Sequence, residues 1–300
     1  QFHVQGWRRL RDGSRAEPAL LMPRGDAITN MADVNLRTGA YGRLECTVND
    51  EDYYLQWYPC WMQEMKCPPE LTLAFMDAIG VDMAVLQHDH VYGGLNTFLS
   101  AVMHRYRGRF LPLAQIDAWE SDQEAQAARL EHAVQSLGLK GLYFEVEIFA
   151  LTDWSDHLDD LKFEPIWRCV QKLNIPIFWY LYTSARDRFN SYMYQVGRLD
   201  RWAKAHPDIS SVYTHGLETV VMLKKNKCFE VPSEVLTCLK NPNVYLEVML
   251  HLMALDTEYP FYWAQEMLKR FYDVLGPEKL LWGSDMPAAE RNVTYRQAMD

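Results

Sequence analysis

Leu280-Leu281-Trp282-Gly283-Ser284-Asp285-Met286-Pro287 decides how this chain is read, because three successive apolar residues run into a glycine, a carboxylate and a proline. A strand with one face in water alternates polar and apolar residues, whereas one that is apolar at consecutive positions has both faces covered, as in a parallel sheet lined by helices. Ile175-Pro176-Ile177-Phe178-Trp179 has the same character. Working outward, apolar runs at 82–90, 110–117, 139–147, 174–182, 209–215, 244–249 and 280–285 predict seven strands. Amphipathic stretches lie between them. One opens at Pro68-Pro69-Glu70 and stops at Gly80; others cover 120–137, 165–173, 191–205, 233–239 and 261–275, ended by Gly138, Pro207 or Gly276-Pro277 where such a residue follows.

Repeated strand-helix units of this kind build an α/β fold with a parallel sheet. If Phe2-His3-Val4 supplies an eighth strand, the count fits a (β/α)8 TIM barrel spanning residues 1–300 as one domain. A doubly wound open sheet is the competing arrangement. Residues 6–67, rich in Arg, Trp, Tyr and Pro, are too long for an ordinary connection and read as an irregular N-terminal insertion over the barrel mouth. His3 would end a strand whose start is missing, and Asp300 falls inside a helix, so the natural chain is expected to extend beyond both ends.

Composition narrows the function classes. The chain has 300 residues, 49% apolar and 23% charged, which is that of a folded globular protein. No run approaches the roughly 18 apolar residues of a membrane helix. The net charge is −10 and no block of Lys or Arg stands out, so a small-molecule substrate is expected and neither nucleic acid nor a membrane is. The six cysteines form no CxxC pair and no signal peptide precedes them, which predicts free thiols and a cytoplasmic location.

In a parallel barrel the active site lies at the C-terminal ends of the strands. Polar residues that end apolar runs are therefore the candidates: His3, His88 and His90, Glu145 with Glu147, Tyr180, His215 and Asp285. Asp285 follows Gly283 and precedes Pro287, which leaves a carboxylate at the mouth able to ligate a metal or take a proton from water. The alternative is a cap for the following helix. His215 could serve as acid, base or ligand, or be a hydrogen-bonded core histidine. His88 and His90 are two apart and so share a side, as a displaced ligand pair or, more readily, as substrate contacts. Glu145 and Glu147 also share a face, where one could act in acid/base work, with Glu145 the candidate for substrate contact, or pair with an arginine, which is the plainer reading. Arg291, on the loop after the last strand, could grip a substrate carboxylate with two hydrogen bonds, and a surface salt bridge explains it equally well. The aromatic run from Tyr53 to Trp61 reads as packing on the rim, as a lid over an aromatic substrate, or as a subunit interface such as that of a homodimer.

Val81-Asp82-Met83-Ala84-Val85-Leu86, Arg109-Phe110-Leu111-Pro112-Leu113, His206-Pro207-Asp208, Tyr213-Thr214-His215-Gly216 and Gly283-Ser284-Asp285-Met286-Pro287 occur in that order. With them the chain resembles, over roughly 68–300, the amidohydrolase-related family of TIM-barrel enzymes, in the branch that includes aminocarboxymuconate-semialdehyde and resorcylate-type decarboxylases. The resemblance implies hydrolysis or nonoxidative decarboxylation assisted by a metal, with ligands at the ends of strands one, five and eight and a catalytic histidine on strand six. Asp285 matches the strand-eight Asp and His215 the strand-six His. His3 is the lone histidine where relatives carry His-x-His or Glu-x-His, and Tyr180 stands where relatives place a ligand histidine. The implied cofactor is one divalent metal such as Zn, held by His3 and Asp285.

A metal-free site is the alternative. There Asp285 is the base, His215 and His3 position or protonate the substrate, and Tyr180 donates to a developing oxyanion. The leading functional expectation is a hydrolase of a small cyclic or aromatic carboxylated compound, with Asp285 activating water. Nonoxidative decarboxylation of a hydroxylated aromatic acid is the second, and a barrel that binds without catalysis is the third.

Overall fold

Parallel strands buried between helices need apolar residues on both faces, and the runs that have them are the ones that form the sheet, although Leu281 and Trp282, expected to be covered, are exposed. The computed structural model describes residues 8–9, 34–152, 154–181, 188–216, 231–249 and 258–300. His3, with Gln1 and Gln5, lies outside the described residues, as does Cys228; Cys46, Cys60, Cys67, Cys169 and Cys238 are free thiols.

Part of the segment expected to be irregular is regular. β1 (Arg8–Arg9), β2 (Arg37–Thr38), β3 (Arg43–Val48) and β4 (Glu51–Gln56) form an antiparallel sheet in the order β1-β4-β3-β2. Asn49 and Asp50, both at positive φ (51° and 62°), close the β3-β4 hairpin with the tight two-residue turn whose twist suits antiparallel strands. Val34, Cys46, Tyr53 and Leu55 make its own small core.

All seven expected barrel strands are present, shorter than their apolar runs except at 244–249: β5 (Ala84–Leu86), β6 (Phe110–Pro112), β7 (Leu142–Glu145), β8 (Ile177–Tyr180), β9 (Ser211–Tyr213), β10 (Val244–Met249) and β11 (Leu280–Gly283). They run parallel in chain order. β7 to β11 form one sheet, β5 pairs with β6, and an isolated bridge between Ala114 and Leu142 links the two. The helices are α1 (Pro69–Ile79), α2 (Asn96–Arg105), α3 (Gln123–Gln135), α4 (Glu164–Leu173), α5 (Arg188–Ala205), α6 (Ser233–Leu239), α7 (Tyr262–Leu275) and α8 (Tyr295–Met299). α1 starts on Pro69 and ends with Gly80 in the left-handed conformation, its N–H bonded to the Met76 carbonyl at 2.9 Å, as its flanking residues predict.

The strand run curls on itself. Gln87, just past β5, donates to Glu247 of β10 at 2.9 Å, a contact that a flat sheet with these strands so far apart in order would forbid. α1 also packs on α8, with Phe75 edge-on to Tyr295 at 6.1 Å. This is the arrangement of a (β/α)8 barrel, although β5 and β11 have no strand between them among the described residues. Among those residues no helix is long and apolar enough to cross a membrane.

Alternation along each strand decides which side chains enter the barrel. Phe144 packs outward on Trp167 and Phe163 of the helix layer, which turns Tyr143 and Glu145 inward. Trp179 packs outward on Trp167 and Trp202, which turns Tyr180 inward. These buried aromatic rings belong to the main hydrophobic core, and their bulk fixes the register that aims the polar residues at the mouth.

Candidate active site

The C-terminal ends of the strands bring four carboxyl groups together: Asp89 after β5, Glu145 at the end of β7, Glu247 in β10 and Asp285 after β11. Asp89 is held above its ordinary 3.8, at about 6, because burial removes water from it and because Glu145 and Asp285 add negative charge; His215 and the Tyr143 hydroxyl oppose the shift. The Tyr143 hydroxyl donates to Asp89 Oδ1 at 2.7 Å. Burial also raises Glu247, with Asp285 adding to the effect and His215 opposing it. Asp285 and His215 thus bear on the same two carboxyl groups.

His215 and Asp285 share a backbone feature that sequence does not reveal. Both sit at positive φ, 60° and 49°, the left-handed region that costs a non-glycine residue roughly 1–3 kcal/mol and is concentrated at functional sites. Tyr213 faces the helix layer, bonding the Tyr192 hydroxyl, so plain alternation would send residue 215 the same way. Instead the His215 ring lies on inward-facing Tyr180, with centroids 4.2 Å apart. Glu247 secures the turn: its Oε2 accepts the His215 backbone N–H at 3.0 Å and its carbonyl accepts that of Gly216 at 3.1 Å. Its Oε1 accepts from Gln87. Gly283 lies against this carboxylate, and a Cβ there would stand 2.7 Å from both Cγ and Cδ of Glu247.

The histidines after β5 do not form a ligand pair. His90 Nδ1 lies 2.8 Å from Glu145 Oε2, and Nε2 lies 3.1 Å from the Ile116 carbonyl. A carbonyl only accepts, so Nε2 carries a proton, and one further proton sits between Nδ1 and the carboxylate. Glu145 also accepts the His90 backbone N–H at 3.0 Å. His88 is buried, neither ring nitrogen has a partner among the described residues, and burial lowers it to about 4, with His90 adding to the shift and Glu145 opposing it. The expected shared face of Glu145 and Glu147 is not found. The strand ends at Glu145 and the chain enters the short 3-10 helix Val146–Thr152, so the two no longer follow strand alternation, and the partner of Glu145 is a histidine and not an arginine.

The hairpin reaches over this end of the barrel. The Tyr58 hydroxyl donates to that of Tyr92 at 2.5 Å, and Tyr58 feels the charges of Asp285 and Asp89, which with burial push its hydroxyl well above the ordinary range. Among the described residues Arg291 makes no salt bridge. Its Nη1 donates to the Trp57 carbonyl at 2.6 Å, and burial pulls the guanidinium below its ordinary value while Asp285 and Tyr58 oppose. Of the aromatic run, therefore, Trp57 and Tyr58 cover the mouth while Tyr53 and Leu55 pack in the hairpin core.

A catalytic divalent metal needs about three converging protein ligands. Among the described residues no three His, Cys, Asp or Glu side chains converge in that way. Glu247 is committed to Gln87 and the His215 N–H, His90 to Glu145 and Ile116, and the end of β8 offers Tyr180. Of the two expected ligands, Asp285 lies among the described residues and His3 outside them.

Asp89, Tyr143 and Glu247 are not singled out by sequence reasoning. An acid between two histidines at a strand end, and a lone acid inside the apolar run 244–249, were the available signals. Asp89 and His88 make opposite predictions for stability. The folded Asp89 carboxyl holds its proton to higher pH than an unfolded one, so its contribution is lost as pH rises from about 4 to about 6. His88 releases its proton at lower pH than when unfolded, so stability is lost as pH falls from 6.5 toward about 4. The two slopes nearly cancel. Asp89→Asn is expected to be more stable than the parent near pH 8 by up to about 3 kcal/mol before solvent screening is allowed for, and no more stable near pH 3. Urea midpoints across that range check this; a pH-independent difference would contradict it.

Solved structures share the fold, three of them as follows. A probable 2-pyrone-4,6-dicarboxylic acid hydrolase from Acinetobacter baumannii, with citric acid bound, is 17% identical with a TM-score of 0.58, over 78% of this chain and 82% of that one. The 2,6-dihydroxybenzoate decarboxylase from Rhizobium is 14% identical with a TM-score of 0.52, over 76% and 82%. A dihydroxybenzoic acid decarboxylase from Polaromonas sp. JS666, with bound manganese and the inhibitor 2-nitroresorcinol, is 14% identical with a TM-score of 0.53, over 78% and 79%. No curated protein sequence matches the chain. The family model for amidohydrolases matches residues 50–298, which takes in the β4 strand and every barrel element after it. This chain belongs to the amidohydrolase family.

Proposed function

We propose that this protein is a hydrolase of a small cyclic or aromatic carboxylated compound, with Asp285 as the base that activates water. The observation that carries the reading is that Asp285 and His215 are both held in left-handed backbone and both act on the buried carboxyl groups of Asp89 and Glu247. In this reading Asp285 takes a proton from water, and the hydroxide adds to the carbonyl of an ester or lactone. Tyr180 and His215, stacked on each other, supply donors to the oxyanion. Asp89, which holds its proton to about pH 6, returns one to the departing alkoxide, so two carboxyl groups with different environments divide the base and acid work. An ester or lactone suits this arrangement better than an amide, whose leaving group is poorer.

Nonoxidative decarboxylation of a hydroxylated aromatic acid is the second reading. The aromatic side chains Trp57, Tyr58, Tyr92 and Tyr180 around the mouth favour it, and decarboxylases are among the proteins that share the fold. Here a carboxyl group would protonate the ring carbon that bears the carboxylate, and carbon dioxide would leave.

Incubation with a panel of aromatic lactones, aryl esters and hydroxybenzoic acids separates the readings. Acid release without gas supports hydrolysis, and carbon dioxide from the hydroxybenzoates transfers the assignment to decarboxylation. No turnover of any member would leave a barrel that binds without catalysis.

A further inference from the structure

The tie to the hairpin uses one of the three nitrogens of Arg291. Nη1 donates to the Trp57 carbonyl at 2.6 Å and lies 3.5 Å from that of Gln56. Nε is buried with no hydrogen-bond partner, and Arg291 forms no ion pair within 4.0 Å among the described residues. A buried N–H without a partner costs roughly 1–3 kcal/mol, so its persistence beside a mouth points to a ligand that satisfies it. The Nε–Nη2 edge of a guanidinium presents two parallel N–H groups, the spacing that a carboxylate matches with both oxygens.

The surroundings narrow the ligand further. The turn from Asp285 through the short helix Ala288–Arg291 brings the guanidinium back toward the catalytic carboxylate, which feels its charge along with Tyr58. Asp89, Glu145, Glu247 and Asp285 make the mouth acidic, which disfavours a dianion such as phosphate and leaves room for a single negative charge held on a permanent cation. The Tyr92 hydroxyl accepts from Trp57 Nε1 and from Tyr58, which gathers three aromatic side chains near the Trp57 carbonyl that holds Nη1.

We infer that the Nε–Nη2 edge of Arg291 binds the carboxylate of a planar aromatic acid and selects such anions over their neutral counterparts. The inference deepens the proposed reading by naming the group that recognises the substrate, and it is tested by binding alone, so the fate of the catalytic assignment does not decide it.

The measurement is calorimetric titration of the full chain with benzoate and with benzamide, which has the same shape without the charge. The parent protein is expected to bind benzoate at least about tenfold more tightly than benzamide. Arg291→Gln is expected to lose that preference through weaker benzoate binding, with benzamide unchanged, which also shows that the mouth has kept its form. Arg291→Lys keeps a charge and a donor for the Trp57 carbonyl but lacks the fork, and should retain only part of the preference; it serves if the Gln variant does not fold. Equal binding of the two ligands by the parent, no binding of benzoate, or an unchanged preference in the variants would overturn the inference.

Discussion

Asp285→Asn is expected to lower kcat by about a thousandfold or more while leaving the fold intact, since general-base catalysis alone contributes roughly 10²–10⁴. Asparagine matches aspartate in shape and is, like it, one of the few residues that tolerate the left-handed backbone found at position 285. The main-chain bond from Ala289 N–H to the residue 285 carbonyl, 2.9 Å, is indifferent to the side chain. What disappears is a negative charge that can take a proton from water. Burial does most to raise Asp89 and Glu247, and the same substitution removes the smaller contribution of the Asp285 charge, so both should titrate at somewhat lower pH in the variant. Any residual activity that depends on protonated Asp89 should then fall off earlier as pH rises. Steady-state kinetics across pH, with thermal melting as the control for folding, checks both parts. Activity within tenfold of the parent would remove Asp285 from the role of base.

The barrel was legible in the sequence because its physics is local. Strands covered on both faces must be apolar at consecutive positions, as 177–180 and, apart from Glu247, 244–249 show; 280–283 is apolar in the same way yet leaves Leu281 and Trp282 exposed. The expected strands overran at their C-terminal ends for an informative reason. Residues 87–90, 113–117, 146–147, 214–215 and 284–285 leave the ladder for loops or short 3-10 turns, and those are the positions where candidate chemistry sits. α2 was not legible. Its first turn has no side-chain cap, and Asn96 is instead fixed by bonds to the backbone of Gln115 at 2.9 and 3.0 Å, a tertiary contact with no local signature. The β3-β4 hairpin was legible in principle, since Asn49-Asp50 between alternating residues is a turn signal, but charged residues on both strands masked the period.

The site divides in the same way. Asp285, His215, Tyr180, Glu145 and His90 could be named because each ends an apolar run, whereas their relations could not. That Glu145 would meet His90, 55 residues away, follows from β5 and β7 closing around one interior. That residue 215 would turn inward depends on a left-handed backbone held by Glu247, a residue from another strand. Arg291 was placed correctly on the last loop, yet its partner proved to be a backbone carbonyl of the hairpin.

Gly283→Ala should be the most damaging small substitution in the barrel, and the reason lies across the sheet and not at residue 283 itself. The new Cβ would meet the Glu247 side chain, with Cγ and Cδ each at 2.7 Å, closer than real Cβ contacts allow. An exposed glutamate would swing away at little cost. Glu247 is buried, and its two oxygens are committed to Gln87 Nε2 at 2.9 Å and the His215 N–H at 3.0 Å. Moving it breaks one or both bonds and strands polar groups, which adds about 1–3 kcal/mol to an overpacking penalty of similar size. A total of about 2–6 kcal/mol is expected, seen in a chain of this length as a fall in melting temperature of roughly 3–10 °C. Loss of the Glu247 tether also frees the left-handed turn at His215, so activity should drop by more than the population unfolded explains. A double-mutant cycle isolates the cause. In a Glu247→Ala background the obstructing side chain is gone, and Gly283→Ala should then cost only a few tenths of a kcal/mol. If the two penalties simply add, the clash is not what makes glycine necessary, and the link from Gly283 through Glu247 to His215 fails with it.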